Sequence, residues 1–133
     1  MNILFIEDDA IETIKLQRTT VKLGLKHNII EAKNGEEALT VLNSNSQLPD
    51  LILLDLNMPR MNGIEFLKIL KADENFRYLP TIVLTTSQNR ADLLECYRIG
   101  IAGYILKPLK YEDYEDKLKK VLEYWDINEL VKA

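Results

Sequence analysis

The chain of 133 residues is 47% hydrophobic and 29% charged, a balance that suits one compact domain held together without disulfide staples. Its net charge of −4 argues against bulk nucleic-acid binding, which needs a basic face. The single cysteine, Cys96, has no internal partner, no apolar run approaches the roughly 20 residues that span a bilayer, and MNILFIEDD lacks a basic leader, so a cytoplasmic protein is expected.

The first apolar run, NILFI (2–6), is short and continuous, as expected for a strand covered on both faces, and it ends on Glu7, Asp8 and Asp9. Asp9 suits an N-cap for the helical pattern over roughly 10–23, which places Ala10, Ile14, Val21 and Leu25 near one face and stops at Gly24. NIIEA (28–32) is the second strand, with His27 in the loop before it. Asn34, with Glu37 three residues on, opens a second helix whose Ala38, Val41 and Leu42 share a face, and NSNSQ (43–47) follows as a polar loop. The third strand, LILLD (51–55), ends on Asp55, a charge that a core strand does not need. Asn62 and Glu65 repeat the capping pattern before a helix that buries Leu67 and Leu70. TIVLT (81–85), a helix over about 89–99 with Leu93, Cys96 and Tyr97, and GYILK (103–107) come next. A last helix from about 111 spaces Tyr114, Leu118, Val121, Leu122 and Trp125 helically, and DINELVKA extends it or frays.

Strands alternating with helices imply parallel pairing, right-handed crossovers and a three-layer α/β/α sandwich. Ligands in such sheets sit at the carboxyl ends of the strands. That edge gathers Glu7, Asp8 and Asp9, Asp55, Thr85 with Thr86 and Ser87, and Lys107 followed by Pro108. Two carboxylates about 4 Å apart repel by roughly 4 kcal/mol at an effective dielectric of 20, so converging acids invite a counter-charge. Lys107 supplies one, and a hard divalent cation such as Mg²⁺ would supply more. One His and one Cys do not make a zinc site. A carboxylate beside Mg²⁺, a hydroxyl and a lysine suits phosphoryl transfer to the aspartate.

These residues resemble the receiver domain of two-component response regulators over residues 1–125, leaving 126–133 as a helix extension or tail with no output domain expected. ILFIEDD is similar to the family's strand and acid pair. LLDLNMPRMNG resembles its phosphoacceptor segment, with Pro59 and Gly63 at the family's offsets. IVLTTS resembles its hydroxyl strand and GYILKP its aromatic and lysine strand. The resemblance implies a five-stranded sheet of order 2-1-3-4-5. It implies Asp55 as phosphoacceptor and metal ligand, Asp8 as direct Mg²⁺ ligand, Glu7 acting through water, and Asn57 through its backbone carbonyl. Thr85 would bond the phosphoryl group, Lys107 would pair with it, and Tyr104 would turn inward as Thr85 moves. The Lys107–Pro108 bond would be cis. Asn57, Thr86 and Ser87 stand at positions that tune phosphoryl lifetime or access. Glu7 replaces the commoner Asp, and Thr86 the usual alanine.

The implied function is a single-domain switch phosphorylated by a histidine kinase or histidine phosphotransfer protein. Its output would be an unidentified protein partner, with neither nucleic acid nor membrane involved. The terminal YW (124–125) resembles the stand-alone receivers paired with phytochrome-type kinases. Such receivers self-associate through the face made by the fourth helix, fifth strand and fifth helix, here carrying Tyr97, Arg98, Tyr104 and Lys119, so a homodimer is a further expectation. Three alternatives compete. A degenerate receiver would act as a phosphorylation-independent interaction module. An aspartate-nucleophile phosphatase would need a second Asp where Asn57 stands. A flavin or nucleotide site would need a phosphate cradle where EDDA stands.

Overall fold

The computed structural model describes residues 1–44 and 48–131. Strands and helices alternate: β1 (Asn2–Ile6), α1 (Ala10–Lys22), β2 (Asn28–Ala32), α2 (Gly35–Ser44), β3 (Leu51–Leu54), α3 (Gly63–Ala72), β4 (Thr81–Thr85), α4 (Arg90–Ile99), β5 (Gly103–Leu106) and α5 (Tyr111–Asp126). The strands form one parallel sheet of order β2-β1-β3-β4-β5, as the family resemblance implied. No helix among the described residues is long and apolar enough to cross a membrane.

The sheet explains why the apolar runs are continuous. All of β3 and β4 is buried, and so is β1 from Ile3 onward. Successive side chains point to opposite faces, so each run feeds two cores. On one face Leu4, Ile6, Ile52, Leu54 and Val83 meet Ala38, Leu42, Phe66, Leu67, Leu70 and Cys96 of α2, α3 and α4. On the other, Ile3, Phe5, Leu51, Leu53, Ile82 and Leu84 meet Leu16 of α1 and Tyr114, Leu118 and Leu122 of α5. The helix starts obey local capping. Asp9 Oδ1 accepts from Ile11 N, Asn34 Oδ1 from Glu37 N, and Asn62 and Glu65 form a reciprocal capping box.

Several expectations need correction. Of the expected face Ala10, Ile14, Val21 and Leu25, only Leu25 packs against the core; Ala10, Ile14 and Val21 are exposed, and Leu16, Thr19 and Thr20 are buried instead. The two threonines tolerate burial because their hydroxyls donate to helix carbonyls, Thr19 to Lys15 and Thr20 to Gln17. Asn43 and Ser44 belong to α2, and the rest of NSNSQ lies outside the described residues. α5 ends at Asp126, so Ile127–Val131 does not extend it, and 132–133 lie outside the described residues. His27 is half-buried rather than solvated, with Nδ1 3.1 Å from the Met1 ammonium. No peptide bond among the described residues is cis, so Lys107–Pro108 is trans, the form X–Pro bonds ordinarily favour. Lys107 is held instead by the sheet, its N–H donating to Thr85 O.

Candidate functional site

Three of the charged residues stand one step beyond a strand, where the ladder still grips their backbone. Glu7 N donates to Ala32 O at 2.9 Å, Asp55 N to Ile6 O at 3.0 Å, and Lys107 N to Thr85 O at 2.8 Å. The parallel sheet thereby turns three separate strand ends into one cup. Carboxylate oxygens of Glu7, Asp8 and Asp55 all lie within 4.8 Å of one another. Glu7 and Asp55 are buried, at 4% and 6% exposure, while Asp8 opens to solvent.

The segment behind Asp55 depends on one glycine. A Cβ on Gly63 would lie 2.6 Å from Asp55 O and 2.7 Å from Leu56 Cα, both backbone atoms. Gly63 N donates to Leu56 O at 3.1 Å, so α3 begins against the acidic segment itself. This close approach gives the offset of Gly63 from Asp55 a physical reason.

Lys107 is buried among acids. Its Nζ is 2.8 Å from Glu7 Oε1, 3.8 Å from Glu12 Oε2 and 4.0 Å from Asp55 Oδ1. The ammonium therefore bonds Glu7, and Asp55 stands just beyond hydrogen-bond reach. Burial pushes the Glu7 carboxyl up to about 8; Lys107 offsets part of this and Asp55 reinforces it. Burial pulls Lys107 down, but the bond and charge of Glu7, with Asp55 and Glu12, hold it above its ordinary value. The causes differ: burial dominates at Glu7, whereas the surrounding acids outweigh burial at Lys107.

The hydroxyl side forms a linked set. Thr85 is fully buried, and its Oγ1 accepts from Ser87 N at 3.3 Å. Ser87 O accepts the Tyr104 hydroxyl at 3.0 Å, and Ser87 Oγ donates to Asp92 Oδ2 at 3.1 Å. Ser87 thus ties Thr85 at the sheet to Tyr104 at the edge. Asn57 and Thr86 are exposed at the rim. Asp9 serves as a cap, outside the cup.

The cup fits a hard divalent cation. Three carboxylates converge, one is open to solvent, and Glu7 Oε2 is buried with no hydrogen-bond partner. Glu12 and Tyr114 escaped the sequence reading as site neighbours. Glu12 carried a usable signal, a further acid in the first turn of the helix that follows the acid pair. Tyr114 carried none beyond its core spacing.

Residues 3–119 match the model of the response regulator receiver domain. The chemotaxis protein CheY1 of Helicobacter pylori is 33% identical over 122 residues, covering 92% of this chain and 97% of that one. The probable methanogenesis regulatory protein FilR2 of Methanothrix harundinacea is 34% identical over 127 residues, covering 92% and 82%. The phosphorylated cyanobacterial phytochrome response regulator RcpA superposes with a TM-score of 0.91 at 30% identity, covering 97% of this chain and 96% of that one. The Mn²⁺-bound response regulator Rcp1 gives 0.90 at 29%, covering 98% of each.

Proposed function

Because the chain belongs to the response regulator receiver family, we propose that Asp55 accepts a phosphoryl group from a phosphohistidine on a kinase or phosphotransfer protein, with Mg²⁺ in the acidic cup. A carboxylate oxygen of Asp55 attacks phosphorus in line as the P–N bond breaks, and the imidazole keeps the electron pair. Receiver domains are signalling domains rather than turnover enzymes, so the product is a modified chain.

Glu7, Asp8 and Asp55, with the Asn57 carbonyl, would hold the cation. When bound, it would neutralise the phosphoryl oxygens as charge develops. Lys107, freed from Glu7, pairs with one phosphoryl oxygen. Thr85 donates its hydroxyl to another as it moves toward the phosphoryl group, and its oxygen can go on accepting from Ser87 N. Because Ser87 N stays bonded to Thr85 Oγ1, that movement draws on Ser87, whose carbonyl holds the Tyr104 hydroxyl. Tyr104 then turns inward and remodels the face of α4, β5 and α5, where Tyr97, Arg98 and Lys119 are exposed for a protein partner or a second copy of the chain. Asn57, Thr86 and Ser87 line the approach and set how quickly donors and water arrive.

The observation that carries the reading is the cup itself: three acids from two strand ends within 4.8 Å, with a buried ammonium 4.0 Å from Asp55. Incubation with Mg²⁺ and either acetyl phosphate or a phosphohistidine protein tests it. Intact-mass spectrometry should record one added phosphoryl group, lost in Asp55→Asn and lost with EDTA. An unchanged mass with both donors would sink the reading in favour of a phosphorylation-independent module.

A further inference from the structure

Lys107 faces a difficulty that the functional reading creates. Its one hydrogen-bonded carboxylate is Glu7, which also belongs to the group of acids able to hold a cation. If a divalent ion draws Oε1 of Glu7 as well as its unpartnered Oε2, the ammonium loses its bond. Lys107 is buried, with its side chain only 7% exposed, so water cannot readily replace the lost bond. Asp55 offers no lasting substitute, because its oxygens are the ones to be modified.

We infer that Glu12 is a positioning residue that gives the Lys107 ammonium a second seat when Glu7 leaves it. Glu12 Oε2 lies 3.8 Å from Lys107 Nζ, about one ångström short of a charge-assisted hydrogen bond. That oxygen is buried and has no hydrogen-bond partner, so the seat is vacant and already desolvated. Among the described residues, Glu12 is also the one carboxylate within 4.0 Å of Lys107 Nζ that stands outside the Glu7–Asp8–Asp55 group. It rides on the first turn of α1, fixed by the Asp9 cap, so its position is set independently of the loops around Asp55. The Tyr114 hydroxyl is likewise buried and unpartnered. Lysine carries three N–H donors, so one can stay on Glu12 while another meets a phosphoryl oxygen.

This inference rests on the proposed function, and its test separates the two. Mg²⁺ is titrated into the full chain and followed by amide NMR shifts in wild type, Glu12→Gln, Lys107→Ala and the double variant. Glu12→Gln should weaken Mg²⁺ binding about tenfold while Lys107 is present and far less in the Lys107→Ala background, where only the lost field charge counts. In the Mg²⁺-loaded protein the side-chain NH₃⁺ resonance of Lys107 should be visible in wild type and broadened by exchange with water in Glu12→Gln. Equal weakening in both backgrounds, or an unaltered Lys107 resonance, would overturn the role of Glu12 and leave the functional reading standing. A wild type that binds no Mg²⁺ would overturn both. Should Glu12→Gln misfold, Glu12→Asp, which retracts the carboxylate by one methylene, carries the same comparison.

Discussion

Asp50 and Asp55 flank the same four-residue strand and are equally buried, each 6% exposed. Their surroundings differ. Asp50 Oδ2 accepts from Asn2 N at 2.8 Å, and Asp50 N returns a bond to Asn2 O at 2.7 Å, so this acid pins the start of β3 to the start of β1. Asp55 instead shares its space with Glu7 and Asp8, and its nearest ammonium is committed to Glu7. A buried carboxylate answered by backbone N–H groups contributes to stability. A buried carboxylate set among its own kind is costly to the free fold, a cost that a cation or phosphoryl group bound as proposed would relieve.

The contrast is tested hardest at the glycine behind Asp55. Gly63→Ala forces a Cβ into backbone 2.6 Å away and should cost about 3 kcal/mol in urea unfolding, with weaker Mg²⁺ binding as the segment shifts. Loss of stability without loss of Mg²⁺ affinity would mean that Gly63 does not shape the cup. Next, Asp50→Ala leaves Asn2 N–H without its acceptor and should cost about 2 kcal/mol while still permitting phosphorylation. Asp55→Ala should melt no lower than wild type in EDTA and take up no phosphoryl group. If the two variants lost equal stability, the distinction between the strand's two ends would fail.

A smaller effect concerns pH. Glu7 in the fold sits up at about 8, above its ordinary value of 4.5, because burial disfavours its charge. The folded chain therefore holds a proton that the unfolded chain releases, so stability from this group is complete below about pH 4.5 and is lost as pH rises toward 8. In EDTA, the melting temperature of wild type should fall a few degrees relative to Glu7→Gln across that window. Parallel profiles would refute the assignment. The smallest effect is at the edge: Tyr104→Phe removes the bond to Ser87 O and should cost about 1 kcal/mol, read by thermal melting.

Much of this could be read from local pattern. The five apolar runs became the five strands: β1, β3 and β4 are covered on both faces and need no alternation, and the half-exposed edge strands β2 and β5 still show against the polar loops around them. Asn34 and Asn62 marked helix starts because capping is a contact between neighbours three residues apart. Glu7, Asp8, Asp55 and Lys107 met because a parallel sheet puts every strand's carboxyl end on one edge. The inward face of α1 was misjudged because side-chain bonds to its own carbonyls let threonines replace isoleucine and valine in the core.

By itself, then, the order of residues determined the alternating elements, the sheet edge that carries the acids and the identities of the charges gathered there, all of which follow from periodicity and connectivity. Tertiary structure alone decided that Lys107 bonds Glu7 rather than Asp55, that Glu12 waits 3.8 Å away, and that Gly63 lies against the backbone of Asp55. Those choices turn on differences of about one ångström between groups distant along the chain, and Coulomb and steric energies change over that length while sequence pattern does not.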